Sequence, residues 1–224
     1  MLEKNCLNIL VLHRLGNPAK TRNALRKHVY ALESWFPQHN YLYHDCSVPP
    51  PQFVKETDFH AILLYDTFLG LRSYEDEILD WHKSVYDFVR HSEAVKIAFP
   101  QDDYDCNEIL DDWMDDWEVD VIYSVISNHW DILYPKSFPK GKIRLAYTGY
   151  LDESLINRPS KVFLDRNIDI GYRAVKLPPY FGELGETKWR IGVEVKKQAD
   201  EYGLNADIVV GEQGTLRGDS WYTF

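Results

Sequence analysis

Cysteine is scarce in this chain of 224 residues, which contains only Cys6, Cys46 and Cys106. The three are far apart, and they form neither a Cys-x-x-Cys pair nor a metal-ligand spacing with histidine. Their odd number and wide separation disfavour a disulfide framework and a structural metal. We therefore predict a reducing, cytoplasmic compartment and no bound metal.

The sequence also lacks a long apolar run. A membrane-spanning helix needs roughly 20 apolar residues, and no segment approaches that length. The apolar run from Leu7 to Leu12 breaks at His13 without a small-residue cleavage site, which indicates a strand rather than a signal peptide. We expect a soluble protein without a transmembrane segment.

Positive charge is in deficit. The chain has 25 Lys and Arg against 35 Asp and Glu, a formal net charge of -10, and its basic residues are scattered. A protein that binds a phosphate backbone gathers basic residues on one face. Nucleic acid is therefore not an expected partner, and an acidic surface also opposes attachment to anionic lipid.

The usual phosphate-binding glycine motifs are absent. The segment HRLGNPAKTRN, residues 13–23, has one glycine and matches neither the dinucleotide fingerprint nor the P-loop. This disfavours a nicotinamide or ATP site of the usual kind. The loop can still present backbone N–H groups and a helix start to an anion or a sugar hydroxyl. The alternative is a plain strand–helix connection.

Short apolar runs alternate with helical patterns along the chain. Such runs, bounded by polar loops, are typical of strands buried on both faces of a mainly parallel sheet. They are Leu7 to Leu12, Ala61 to Tyr65, Val95 to Phe99, Val119 to Tyr123, Ile143 to Tyr147 and Ala206 to Val210, with residues 41–46 as a weaker candidate. Helices are predicted over residues 21–36, 73–93, 105–117 and 186–203, the second capped by Ser73.

This alternation predicts an α/β fold: a doubly wound, mainly parallel, Rossmann-like sheet with helices on both faces. The length suits one large domain over residues 1–224. In such sheets ligands bind beyond the carboxyl ends of the strands. Candidate site residues at those ends are His13, Asp66, Gln101, Asp102, Asp103, Tyr104 and Glu212.

Two acids lie where the strand from Val95 to Phe99 ends, in the segment FPQDDY, residues 99–104. A carboxylate there can act as general base for a sugar hydroxyl or accept hydrogen bonds from neighbouring hydroxyls. The alternative is that Asp103 or Asp105 caps the helix that follows. His13 is a weaker candidate, because an isolated histidine is more often structural.

Four aspartates in the predicted helix 105–117 invite a metal hypothesis. Their spacing argues against it, because Trp113 and Trp117 belong to the apolar stripe of that helix and leave the acids on a solvated face. Hard cations also need oxygens that converge from several elements. No metal site is predicted at Asp111, Asp112, Asp115 and Asp116.

The segment RNIDIGYRAVKLPPYFGELGETKWRIG, residues 166–192, combines charges with glycines that open a helix. Asp169 and Arg173 either form an internal ion pair beside turn glycines or place charge near a helix amino-terminus. The candidate substrate-binding residues in this stretch are Tyr172, Arg173, Gly182, Gly185 and Lys188.

The order of several motifs resembles a known group of enzymes. FPQDDY, VDVIYSV, ILYP, TGYL, RNIDIGYR, LPPYFGELGETKWRIG and YGLNADI follow one another over residues 94–224. Together they resemble bacterial glycosyltransferases of the GT-B type, a spore-maturation-like group associated with surface-polysaccharide synthesis. The combination of QDDY, DIGYR and GxLGxxKW carries the resemblance.

The resemblance implies that this chain is the amino-terminal, acceptor-side domain of a glycosyltransferase. The enzyme would move a sugar from a nucleotide-sugar donor to a glycan hydroxyl without a cofactor, and Asp102 or Asp103 would be its base. A second Rossmann-like domain would follow Phe224, with residues 212–224 leading into it, and would hold most of the donor site. The isolated chain would then be inactive.

Two other function classes stay open. One is a non-catalytic carbohydrate-binding or scaffold domain of a larger polysaccharide synthase. The other is a flavodoxin-like domain for a small ligand, in which the first loop would be expected to be richer in Ser, Thr and Gly.

Overall fold

The computed structural model describes residues 6–17, 21, 23–147, 159 and 162–211. The chain divides into two compact units, Met1–Tyr150 and Leu151–Phe224.

A six-stranded sheet forms the centre of the first unit. Every neighbouring pair of strands is parallel, and the order is β2-β1-β3-β4-β5-β6. The strands are β1 (Asn8–His13), β2 (Asn40–Asp45), β3 (Ala61–Tyr65), β4 (Val95–Phe99), β5 (Val121–Ser124) and β6 (Ile143–Leu145). The parallel sheet with its flanking helices confirms the predicted doubly wound α/β class, and β2 confirms the weaker strand candidate.

Helices and one 3₁₀ turn connect these strands. The helices are α1 (Asn23–Val29), α2 (Ala31–Trp35), α3 (Gln52–Glu56), α4 (Asp66–Leu69), α5 (Asp76–Val85), α6 (Asp87–Arg90), α7 (Asn107–Asp116) and α8 (Trp130–Leu133). The 3₁₀ turn, Gly70–Ser73, follows α4 directly.

Apolar residues cover both faces of the sheet, because successive side chains of a strand point to opposite faces. Leu10 and Leu12 of β1 belong to the larger core, with Trp113 and Trp117 of α7. Ile9 and Val11 belong to a smaller core that includes Val29 of α1. A strand buried on both sides accordingly appears in the sequence as a continuous apolar run.

The predicted single helix over residues 73–93 is wrong in detail. It is divided at Tyr86, which lies between α5 and α6 with φ -105° and ψ 16°. The Tyr86 hydroxyl donates to the Val48 carbonyl and contacts His44 Nε2 at 2.9 Å, and these tertiary bonds fix its position at the break. Ser73 does not cap α5, since its hydroxyl contacts Asp105 Oδ2 instead.

The second unit contains a parallel strand pair, β7 (Ile170–Ala174) and β8 (Ala206–Val210), connected by α9 (Gly182–Glu201). Short 3₁₀ turns at Phe163–Asp165 and Pro179–Phe181 precede the strand and the helix. The strand predicted at residues 206–210 is present, and it pairs with β7 in a sheet of its own. β7 was not predicted as a strand, because DIGYR combines charge with glycine and lacks an apolar run.

Candidate functional site

The strand order of the first unit reverses between β1 and β3, since β2 lies on one side of β1 and all later strands lie on the other. The loops after β1 and β3 diverge at such a switch point and leave a crevice between them. His13, Asp66 and residues 101–104 follow or end β1, β3 and β4, so the sequence assigned them to the correct edge.

A cavity of about 790 Å³ lies at this edge, and we call it the switch-point cavity. It brings together three of the predicted residues, Asp66, Gln101 and Asp102. Its other walls are residues of the β1 loop, of α1, of the turn after α4 and of the loop after β4. They are Leu15, Asn17, Thr21, Ala24, Leu25, His28, Gly70, Arg72, Ser73 and Asp105.

Arg72 shapes the floor of the switch-point cavity, and its side chain is almost entirely buried. The Nε atom donates to the Asp105 carbonyl at 2.9 Å, and Nη2 donates to the Gln101 and Asp102 carbonyls at 2.8 and 3.0 Å. Nη1 donates to the Leu69 carbonyl at 3.2 Å. Four backbone oxygens thus hold the guanidinium, which in turn fixes the loop of residues 101–105.

Asp66 and His28 both line the switch-point cavity, and the charge of each affects the pKa of the other. Burial raises the pKa of Asp66, and no described residue provides a hydrogen bond to its buried Oδ1 atom. Burial lowers the pKa of His28, whose ring lies edge-on to Tyr65 at 5.4 Å between centroids. Burial thus disfavours the charged form of both groups.

Asp102 and Asp103 have opposite surroundings. Asp102 is exposed at the cavity rim in a left-handed conformation, with φ 49°, and its Oδ1 accepts a hydrogen bond from Tyr104 at 3.3 Å. Asp103 is 0% exposed, and its Oδ2 accepts hydroxyl hydrogen bonds from Ser124 at 2.6 Å and Tyr134 at 2.8 Å. Of the two carboxylates, only Asp102 lines the switch-point cavity.

The capping interpretation of these acids is wrong. The residue before α7 is Cys106, with left-handed φ of 50°, and no side chain caps the helix. The Asp105 carboxylate instead accepts hydrogen bonds from Ser73 and from the Cys106 thiol. The loop is fixed by Arg72 and does not need a side-chain cap.

His13 lies in a second cavity, of about 540 Å³, which we call the tyrosine cavity. It is lined by His13, Leu15, Gly16, Thr21, Arg26, Tyr30, Tyr43 and Asp45. The Gly16 N–H donates to Asp45 Oδ2 at 2.8 Å, and the Leu15 N–H donates to His13 Nδ1 at 3.4 Å. Burial lowers the pKa of His13, so the ring is neutral at physiological pH.

The candidates in the second unit make contacts within its strand–helix–strand core. The Tyr172 hydroxyl donates to the Lys188 carbonyl of α9 at 2.6 Å. Arg173 binds the Asp207 carboxylate at 2.6 Å, whereas Asp169 accepts a hydrogen bond from the Asn205 N–H at 2.8 Å. Arg173 thus forms an ion pair with Asp207 of the neighbouring strand β8.

The two glycines that open α9 have conformational roles. Gly182 has φ +65°, which L side chains rarely adopt. A Cβ atom at Gly185 would lie 2.6 Å from the Cβ of Phe181. The Lys188 side chain is exposed, and Glu212 lies outside the described residues.

One aspartate of α7, Asp111, differs from the prediction in its burial. Trp113 and Trp117 are buried as expected, but Asp111 is buried as well. Its carboxylate accepts backbone hydrogen bonds from Lys136 at 2.7 Å and Ser137 at 3.1 Å, which satisfy the buried charge. Among the described residues, no group of three or more acidic, histidine or cysteine side chains is arranged to hold a metal.

Two further findings concern membrane-spanning helices and the cysteines. Within the described ranges, no helix has both the length and the apolarity needed to cross a membrane. Cys6, Cys46 and Cys106 are free thiols, and burial raises the pKa of Cys46 to about 12. Cys46 is therefore unreactive at neutral pH.

Sequence reasoning did not identify Arg72 and His28 as parts of the site. Both lie within helical or turn segments in which a basic residue is ordinarily solvated. They come together only because α1 and the Gly70–Ser73 turn both lie next to the loop after β4 in the folded chain. Such contacts between distant segments are not visible in the sequence. For Asp105 the sequence indicated only a possible role as a helix cap.

The comparisons with known proteins match nothing: no family model, no curated protein and no solved structure is similar to this chain.

Proposed function

We propose that this chain is the acceptor-side domain of a glycosyltransferase that transfers a sugar from a nucleotide-sugar donor to a hydroxyl of a glycan. The single observation that carries the proposal is the composition of the switch-point cavity. Three carboxylates, Asp66, Asp102 and Asp105, surround it together with the amide of Gln101 and the hydroxyl of Ser73. Carboxylates accept hydrogen bonds from hydroxyl groups, and amides both donate and accept them, as recognition of a sugar requires.

In the proposed reaction Asp102 is the general base. An acceptor hydroxyl gives its proton to the Asp102 carboxylate while its oxygen bonds to the anomeric carbon of the donor, and the bond from that carbon to the nucleoside diphosphate breaks. The exposed position of Asp102 at the rim supports this role. Asp103, held by two hydroxyls in the core, serves to fix the loop.

Asp66 is proposed to orient the acceptor. Its buried carboxyl, whose pKa burial raises, lines the cavity together with His28 and can accept a hydrogen bond from a sugar hydroxyl. Tyr104 holds the Asp102 carboxylate through its hydroxyl and thereby limits the positions of the base. Both residues act from the acceptor side.

The charge of the cavity favours a neutral ligand over a phosphate. Among the described residues that line it, Arg72 is the one permanently cationic residue, and its guanidinium is already bound to four carbonyls. Three carboxylates would repel a phosphate or a flavin phosphate at this position. This disfavours the flavodoxin-like alternative, although the strand order also occurs in flavodoxin-like proteins.

The proposal also covers the leaving group, the need for a cofactor, and the cellular location. Stabilisation of the departing diphosphate is assigned chiefly to the donor side of the cleft, as the resemblance implies. No metal or cofactor is required in this scheme. The three free thiols support a reducing, cytoplasmic location.

An NMR titration tests the ligand class directly. Cellotetraose and the tetramer of N-acetylglucosamine are added to the ¹⁵N-labelled chain, and shifts are expected at the amides of residues 66–73 and 101–105. Asp66→Asn and Asp102→Asn are each expected to weaken binding about tenfold, the loss of one good hydrogen bond to a charged group. Asp58→Asn is the matched control, since Asp58 is exposed and lines neither cavity.

Two outcomes would contradict the proposal. One is that neither oligosaccharide shifts these amides. The other is that uridine diphosphate shifts them more strongly than the neutral sugars do. Saccharide binding without transfer by the complete protein would instead favour the carbohydrate-binding or scaffold alternative.

A further inference from the structure

The tyrosine cavity adjoins the switch-point cavity. Leu15 and Thr21 of the loop after β1 line both cavities. The Thr21 hydroxyl is within hydrogen-bond distance of the carbonyls of Leu15 and Asn17, at 2.8 and 2.9 Å, which fastens this shared wall. A ligand that fills one cavity therefore ends close to the other.

His13 provides a buried hydrogen-bond donor in the tyrosine cavity. Its side chain is 5% exposed, and its Nδ1 accepts the Leu15 N–H. A neutral imidazole with Nδ1 as acceptor has its hydrogen on Nε2. No hydrogen bond joins that N–H to a described residue, and because His13 lines the cavity, a ligand there can supply an oxygen to it.

Aromatic rings form another wall of the tyrosine cavity. The rings of Tyr30 and Tyr43 lie 4.2 Å apart between centroids, and the His13 ring lies 6.4 and 6.3 Å from them. The apolar face of a pyranose ring covers such an aromatic surface, while its hydroxyls point to polar groups at the edge.

Asp45 supplies the acceptor at that edge. Its carboxylate oxygens accept the N–H groups of Gly16 and Ser47, each at 2.8 Å. Burial opposes ionisation, but the hydrogen bond from the Ser47 side chain, together with those from the Ser47 and Gly16 N–H groups, outweighs it and lowers the pKa of Asp45, so the carboxylate is charged at neutral pH. A carboxylate has about four acceptor positions in all, and with the Ser47 side chain and the two N–H groups bound, one of them stays open to a sugar hydroxyl.

We propose that the tyrosine cavity is a second sugar subsite, so that the acceptor has at least two sugar rings, one in each cavity. This inference rests on the proposed function, because it extends the same acceptor site. The ring in the tyrosine cavity receives the His13 N–H, donates to Asp45 and packs on Tyr30 and Tyr43. The other ring lies beside Asp66 and Asp102.

Chain-length dependence of binding tests the inference. Isothermal titration calorimetry compares N-acetylglucosamine with its β-1,4-linked dimer and trimer, and glucose with cellobiose and cellotriose. The dimer of the series that binds is expected to bind at least tenfold more tightly than the monosaccharide, because the second ring binds intramolecularly. In NMR spectra the dimer is expected to shift amides of both cavities.

Variants separate the two subsites. Tyr30→Leu removes the aromatic face without emptying the site, and it is expected to reduce the affinity for the dimer to that for the monosaccharide. His13→Ala is expected to do the same, and Tyr30→Leu covers the case in which loss of buried His13 prevents folding. Tyr41→Leu is the matched control, since Tyr41 stacks on Tyr43 but lines neither cavity.

The outcomes are distinguishable. If a monosaccharide binds in the switch-point cavity and the dimer binds no more tightly, or shifts the amides of one cavity only, the second subsite is refuted while the proposed function stands. If neither series of sugars perturbs either cavity, both are refuted.

Discussion

Adjacent aspartates at the end of β4 show how strongly surroundings decide the role of a residue. We expect Asp103→Asn to lower the free energy of unfolding by about 2 kcal/mol, because the amide places an unsatisfied N–H₂ group in the core beside Ser124 and Tyr134. Asp102→Asn is expected to change it by less than about 0.5 kcal/mol, because Asp102 is exposed and asparagine tolerates its left-handed backbone. Urea unfolding of both variants measures this difference. Equal losses would show that the buried hydroxyl network does not stabilise the fold.

His82 is a buried histidine whose two ring nitrogens have no partner among the described residues, and it is 1% exposed. Burial lowers its pKa to about 4, from the usual 6.5. Above pH 6.5 the ring is neutral in both states and has no effect on the pH dependence. Between pH 6.5 and 4 the unfolded chain takes up the proton first, so the folded state loses up to about 3 kcal/mol.

His82→Phe removes this proton uptake and keeps a ring beside Phe68, which lies 4.5 Å away between centroids. The variant is therefore expected to lose less stability than the original chain when the pH falls from 7 to 4. Urea unfolding at several pH values tests this. Parallel curves for the two proteins would contradict the assignment.

At the scale of elements, Arg72 connects the Gly70–Ser73 turn to the loop between β4 and α7. Arg72→Ala is expected to lower the free energy of unfolding by about 3 kcal/mol, because four carbonyls lose a charged donor. Arg72→Lys is expected to recover little of this, since an ammonium group cannot reproduce the planar fork. Hydrogen exchange of the amides of residues 101–105 should accelerate in both variants. Unchanged exchange would show that the loop holds its shape without Arg72.

In the second unit, Arg173 connects β7 to β8 through Asp207. Arg173→Ala is expected to destabilise that unit by about 1–2 kcal/mol, because Asp207 then loses its partner in a half-buried site. Asp207→Ala should cost a similar amount, and the double variant should cost less than the sum of the two. Hydrogen exchange of the amides of β7 and β8 measures the stability of this unit. Full additivity would mean that the pair is not coupled.

At the scale of the whole molecule, the proposed function predicts binding without transfer. Residues 1–224 alone are expected to bind a neutral oligosaccharide but to release no nucleotide from a nucleotide sugar, because transfer needs donor and acceptor to be positioned together. Incubation with uridine diphosphate glucose and cellotetraose, followed by chromatography of free nucleotide, measures this. Sugar transfer at an enzymatic rate would refute the assignment of a single side of the cleft to this chain.

Much of the fold could be predicted because a parallel sheet buries both faces of its strands. Every residue of the run AILLY is apolar, as is every residue of VKIAF except Lys96, and polar residues after these runs mark the carboxyl edge. β7 escaped prediction because its stability comes from pairing with β8 and from the contact between Arg173 and Asp207. The break at Tyr86 likewise depends on distant partners.

The sequence by itself determined the α/β class, the edge of the sheet where a ligand would bind, and the position of His13, Asp66 and residues 101–104 at that edge as candidates. The tertiary structure decided which candidates share a cavity. It separated His13 from Asp66, turned Asp103 into the core, and brought His28 and Arg72 beside Asp66. The physical reason is that strand periodicity acts over a few neighbouring residues, whereas a cavity is formed by loops from separate strands. Their approach is set by side-chain packing and by bonds such as those of Arg72.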